Sequence, residues 1–251
     1  MLRDDLVKFL DEYLKINDIE DSSWNGLQFE GKENVQKIAS AVDAGIETFE
    51  RASSSNTDFL IVHHGHFWKN GNPSINENSK KRIDILYRNG MSLYAAHLPL
   101  DRHREIGNNV LILKMLNAKI KSEFVFSKDK NIGWIGKTNK LMTMQEIEKI
   151  INNKLNTKCV CLSFGPKKVR SVAVCSGGGN YDDFFEALEK RVDLYITGDT
   201  SEIYHTAKDY GINVIFAGHH STETVGVKML LEVLKRRFKI KTEFINIKTG
   251  L

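Results

Sequence analysis

Seven of the eight histidines in this 251-residue chain fall into three clusters: His63, His64 and His66; His97 and His103; His219 and His220. Only His205 stands alone. Imidazoles bind transition metals and move protons near neutral pH, and the ends of apolar strands are where α/β folds place their ligand sites. His63 and His64 follow the run Phe59-Leu-Ile-Val62. Successive strand side chains point to opposite faces, so the pair serves two metal ions, one ligand each, better than it serves one. A hydrogen-bonded pair in a turn is the alternative.

His97-Leu-Pro-Leu-Asp101 adds a carboxylate just past another strand, on a turn stiffened by Pro99. Asp101 reads either as a ligand or as a cap or turn residue. His219 and Glu223 stand four apart where the chain enters a helix, so both can face one point. A capping acid in the first helical turn is the other reading of Glu223. Together His63, His64, Asp101, His219 and Glu223 offer nitrogen and oxygen donors suited to two divalent ions of zinc, iron, manganese or nickel rather than calcium. A pair of such ions about 3.5–4 Å apart, with open positions for a water and a substrate oxygen, is an arrangement for hydrolysis.

The elements that must position these residues follow an α/β rhythm. Apolar runs at 38–42, 59–62, 92–96, 159–163, 169–175, 194–197, 212–217 and 244–247 predict strands. Amphipathic stretches predict an N-terminal helix and others near 45–53, 78–89, 105–117, 143–154, 181–190, 201–209 and 223–237. The halves echo each other. Ser40-Ala-Val-Asp-Ala-Gly45 followed by Asp58-Phe-Leu-Ile-Val62 resembles Ala173-Val-Cys-Ser-Gly-Gly178 followed by Asp193-Leu-Tyr-Ile-Thr197. The expected architecture is therefore α/β, two similar units from an internal duplication with mixed, mostly parallel sheets. The units are placed at 1–122 and 123–251, joined around 118–131, either separate or intertwined.

Composition narrows the class. With 41% hydrophobic and 27% charged residues the chain is that of a folded protein, and disordered or collagenous classes drop out. A net charge of +4 is too mild to announce a nucleic-acid binder. No apolar run reaches membrane-spanning length and the start is acidic, so a cytoplasmic location without membrane association is expected. Three cysteines, Cys159, Cys161 and Cys175, read as reduced core residues.

Several separated landmarks resemble one family, the GTP cyclohydrolase 1 type 2 family of dinuclear-metal proteins, also described as NGG-interacting-factor-like. They are Trp24-Asn-Gly-Leu-Gln28, His63-His64-Gly65, His97-Leu-Pro-Leu-Asp101 with Ile106-Gly-Asn-Asn109, Thr197-Gly-Asp199 with His205, and Gly218-His-His-Ser-Thr-Glu223. The resemblance covers nearly the whole chain. It implies two metals between the halves, a homohexameric ring, and metal positions at the same five residues picked above. It also implies hydrolysis of a nucleotide or small heterocycle: ring opening of GTP with formate release, or removal of damaged nucleotides. The chain departs from the pattern at Gly65-His66, where many members continue with proline and leucine.

Around the ligands, His66, His97, Asp199 and His205 are candidates for orienting them or moving protons, with a helix cap as the simpler reading of Asp199 and a surface residue that of His205. His97 ranks first, as a catalytic acid or base four residues before a proposed ligand. Asn25, Gly26 and Gln28 read as a polar turn. Gly177-Gly178-Gly179 reads as a tight turn or an anion cradle. Phe67-Trp68 and the Asn-rich stretch 70–78 read as a lid or a surface loop. The basic run Lys235–Lys241, with Phe238 and Ile240 interleaved, carries the competing function: a ring-shaped protein that binds single-stranded DNA or a protein partner, with structural metals.

Overall fold

The computed structural model describes residues 1–250. Its elements begin α1 (Arg3–Leu14), β1 (Gly26–Phe29), β2 (Lys37–Asp43), α2 (Ile46–Ser54), β3 (Phe59–His64), α3 (Glu77–Asn89), β4 (Ser92–Ala95) and α4 (Leu98–Asp101). They continue with α5 (Asn108–Met115), β5 (Ala118–Ser127), β6 (Lys130–Met142), α6 (Met144–Leu155), β7 (Val160–Ser163) and β8 (Val169–Cys175). Last come α7 (Tyr181–Glu189), β9 (Leu194–Thr197), α8 (Tyr204–Tyr210), β10 (Asn213–Phe216), α9 (His219–Phe238) and β11 (Lys241–Phe244). They divide into two compact units, one of Met1–Leu100 with Val227–Lys248, the other built on Asp101–Gly226. No described helix is long and apolar enough to cross a membrane.

The first unit holds a sheet of order β1-β4-β3-β2-β11 and the second a sheet of order β5-β6-β8-β9-β10-β7. Both sheets mix parallel and antiparallel pairs. Strands β2, β3 and β4 run parallel with β1 antiparallel beside β4; β8, β9 and β10 run parallel with β7 antiparallel beside β10. The repeat seen in sequence reaches single side chains. Oδ2 of Asp58 accepts from the amides of Gln36 and Lys37, and Oδ2 of Asp193 accepts from those of Arg170 and Ser171. Gly90 and Gly211 close α3 and α8 at φ +55° and +67°, a left-handed turn that glycine adopts without a Cβ penalty.

Buried parallel strands are covered on both faces, so they read as unbroken apolar runs, and Phe59 through Val62 are fully buried. Phe49, Leu60, Val62 and Leu93 belong to the first unit's core; Phe184, Tyr195, Val214 and Phe216 belong to the second's. Capping boxes start α6 (Thr143 with Glu146) and α7 (Asn180 with Asp183). All three cysteines are free thiols, and burial pushes the Cys159 thiol up to about 12.

Several elements differ from the sequence reading: Gly26 and Gln28, read as a turn, lie in β1, and β5, β6 and the short α4 were not predicted. The stretch 118–131, expected as a join, is β5 and the start of β6, paired antiparallel as a hairpin. β5 lies at a sheet edge, so its polar face reads like a loop: Lys119, Ser122 and Glu123 are exposed while Phe124 and Val125 are buried. The last strand is Lys241–Phe244 rather than 244–247. It draws on the basic run, where Lys37 pairs with Glu243 across the β2–β11 ladder.

Candidate metal centre

In the first unit the imidazoles stand at the carboxyl ends of parallel strands, where open α/β sheets bind ligands. His63 and His64 end β3, and His97 follows β4. Nδ1 of His63 faces the carbonyl of Ala96 at 2.9 Å, that of His64 faces Asp43 Oδ1 at 2.8 Å, and that of His97 faces Asp21 Oδ1 at 2.9 Å. Each partner is an acceptor, so each Nδ1 carries the hydrogen. The His63, His64 and His97 rings lie 4.8 to 5.5 Å apart, and one ligand atom from each lies within 4.8 Å of the others.

This corrects the expectation that His63 and His64 diverge to opposite faces. Alternation fixes only the direction of Cβ, and these are the last two residues of β3. β4 ends at Ala95, opposite Val62, so His63 reaches past it to Ala96 and both rings converge on His97.

Asp21 is the buried anchor of that cluster. It accepts from Ser23 N, Asn25 Nδ2, Leu98 N and His97 Nδ1, while Asn25 Oδ1 accepts from His97 N. Burial works against the Asp21 charge, yet hydrogen bonds led by that from His97 hold its carboxyl well below the usual range. A depressed carboxyl stabilises the fold above the unfolded value of about 4 and loses that contribution as pH falls below it. D21N should cost about 1–3 kcal/mol for each donor it leaves unsatisfied, measured by urea denaturation at pH 7, and should flatten this acid-side dependence.

In the second unit, Oδ1 of Asp101 accepts from Asn108 Nδ2 at 2.8 Å and Ser176 Oγ at 3.0 Å. His219 and Glu223 share the first turns of α9, with Nε2 and Oε1 3.2 Å apart, and His219 Nδ1 donates to Asp199 Oδ2 at 2.9 Å. Asp199 and Glu223, one at each ring nitrogen, favour the protonated form of His219. Its pKa is pushed up to about 9, first by the hydrogen bond to Glu223 and then, against burial, by the charges of Glu223 and Asp199. The turn Ser176-Gly177 touches Asp101 on one side and comes against Glu223 and His219 on the other.

Other expected residues take varied places. Asp199, read as either a helix cap or an orienting partner, meets His219 Nδ1 through its Oδ2. Gln28 clamps the loop after His64: its Oε1 accepts from His66 N and Phe67 N, and its Nε2 donates to the carbonyls of Trp24 and Phe67. Trp68 bridges Ser23 and Lys69 N bonds Ser22 O, so this segment is anchored by its backbone. The amides of Ser176, Gly177 and Gly179 bond Asn109, Thr222 and Thr197 side chains and are spent within the protein. Burial and Arg82 lower the pKa of His66, and His205 is exposed on α8 beside Tyr204. In the basic run, Phe238 packs edge-on against Phe9, over which Arg237 lies. Sequence reasoning missed Asp21 and Asp43. Asp43 had a signal, since it closes the apolar run of β2 and stands in register with His64.

The family model described as Duf34/NIF3 (NGG1p interacting factor 3) matches residues 1–250. The chain is 46% identical over 253 residues to a protein of Pyrococcus horikoshii, covering 100% of both, and 45% identical over 248 residues to one of Archaeoglobus fulgidus, covering 98% of each. Both carry the name GTP cyclohydrolase 1 type 2 homolog. The crystal structure of TTHA1606 from Thermus thermophilus superposes with a TM-score of 0.88 at 38% identity, covering 100% of both chains. With the family model and full-length relatives in agreement, this chain belongs to the Duf34/NIF3 family.

Proposed function

We propose that the chain is a divalent-metal-dependent hydrolase acting on a nucleotide or a related heterocycle. The observation that carries this reading is a shared orientation. His63, His64, His97 and His219 each turn Nδ1 to an oxygen acceptor, which leaves Nε2 as the nitrogen a metal or a proton takes, that of His219 standing 3.2 Å from Glu223 Oε1. Histidines kept for packing alone have no cause to be oriented alike. Buried Asp101 and Glu223 add the carboxylates, and the donor set suits zinc, iron, manganese or nickel.

His63, His64, Asp101, His219 and Glu223 would hold two ions. Bound ions would supply Lewis acidity and lower the pKa of a coordinated water. Asp43 and Asp199 fix the rings of His64 and His219. His97 Nε2 gives and takes the proton of the reaction, and Asp21 steadies the imidazolium that forms. The relatives' name, GTP cyclohydrolase 1 type 2 homolog, supports GTP as the first substrate to try.

The test measures metal per chain and turnover of GTP and of damaged nucleotides, with Glu223→Ala as control. About two ions per chain and turnover above the control are expected; metal-loaded protein that turns over none of these substrates overturns the reading. Metal binding also displaces the His219 proton. Loading at pH 7.5 should release about one proton from this residue, followed with an indicator dye in weak buffer, and the release should fade above pH 9. In the metal-free protein the raised pKa stabilises the fold fully below about 6.5 and is lost as pH rises through 9.

A further inference from the structure

We propose that Trp68 and Arg82 form a nucleotide-recognition wall beside the first unit's imidazoles, Trp68 stacking on the planar ring system and Arg82 taking the phosphate. The inference rests on the nucleotide reading above and assigns it two residues.

Trp68 is held rigidly and only half covered. Its Nε1 donates to the Gly65 carbonyl at 3.0 Å, and its backbone bridges Ser23. The indole lies 5.2 Å from the His97 ring at 73° and 6.1 Å from the His64 ring at 38°. The other two tryptophans have different surroundings. Trp134 is buried against Arg104, and Trp24 is more than half exposed beneath Lys69. A fixed, half-open aromatic face next to reacting groups is the surface on which a base stacks, whatever its sequence of polar edges.

Arg82 is half-buried on α3 and forms no ion pair among the described residues. Its Nη1 meets His66 Nδ1 at 3.4 Å, and its buried Nε has no partner. Arg51 on α2 pairs with Glu47 and Arg3 on α1 with Asp4 and Glu30, while Arg237 on α9 lies over the Phe9 ring. On α3 itself Arg88 pairs with Asp84. A guanidinium left without a carboxylate retains the forked donor set that fits a phosphate, and a covered donor without an acceptor costs free energy that a ligand oxygen recovers. His66, which Arg82 touches, lies two residues from Trp68 on the segment clamped by Gln28.

The experiment is calorimetric titration of the metal-loaded full chain with guanosine and with guanosine 5′-monophosphate, supported by tryptophan fluorescence. W68A should weaken both ligands about tenfold, W68F should stay near wild type in affinity while losing most of the fluorescence quenching, and R82Q should weaken only the monophosphate, by about tenfold or more. Wild-type affinity in W68A, equal losses of both ligands in R82Q, or no binding of the monophosphate by wild type overturns the wall. Binding with this pattern but no turnover leaves the wall standing and removes the hydrolase; turnover with an unchanged KM in W68A does the reverse.

Discussion

If the proposed function holds, Glu223→Ala should abolish turnover and weaken zinc binding by more than the 10- to 100-fold that loss of an outer partner of a ligand costs. The side chain is buried, with 3% of the residue exposed, and its Oε1 stands 3.2 Å from His219 Nε2. One substitution therefore removes a carboxylate from a low-dielectric site and the group that holds its imidazole neighbour. Asp199→Asn supplies the calibration, because it touches only Nδ1 of His219 and should lose affinity within the 10- to 100-fold range. Competition with a chelator gives both numbers. Glu223→Ala should also return His219 toward an ordinary histidine pKa, so the metal-free variant should no longer lose stability between pH 6.5 and 9. Metal content equal to wild type in Glu223→Ala would remove this residue from the ligand set.

Gly177→Ala should cost about 2–5 kcal/mol of stability and weaken metal binding together. Gly177 has φ +66°, where an L side chain is strained, and an added Cβ would collide with Glu223 Oε1 and approach His219 Nε2 to 3.1 Å. The backbone has no room to retreat. Gly177 N donates to Thr222 Oγ1, and its carbonyl accepts from the amides of Gly198 and Asp199. Glu223 must swing away instead. Gly178→Ala is the milder companion, since its Cβ would come only to 3.1 Å from Asp199 Oδ2 and its φ is ordinary. Urea denaturation in the presence of chelator isolates the stability loss from the metal loss.

The repeated α/β pattern was legible because buried parallel strands must be apolar throughout, and Leu194–Thr197 was read to the residue. Edge strands were less so. β1 is four residues long and β5 carries lysines outward, so neither shows a pattern that differs from a polar loop. The candidate site was legible where chemistry and strand ends coincide, at His63, His64 and His219. Among its supports Asp199 was a candidate, but the contacts of Asp21 with His97 across 76 positions and of Asn109 with Ser176 across 67 were not legible. Spacing rules act within an element, and these hydrogen bonds are set by how distant elements meet. Gly177 was read as part of a tight turn or an anion cradle; its φ of +66° fits the turn, and its lack of a side chain, which the neighbouring Glu223 requires, was not foreseen.

The pairing of β11 with β2 also sets an order of assembly. Lys37 and Glu243, whose side chains pair diagonally there, are 206 positions apart, while the residues from Asp101 to Gly226 form a unit continuous in sequence. The unit that leaves the ribosome first is thus the last to be finished. Until the C-terminal strand emerges, β2 presents an open edge of unpaired amides and carbonyls, and its long-range closure is the slow kind of contact to make. Chains that stop short of Lys241 should keep that edge permanently and aggregate through it, even with every proposed metal ligand in place.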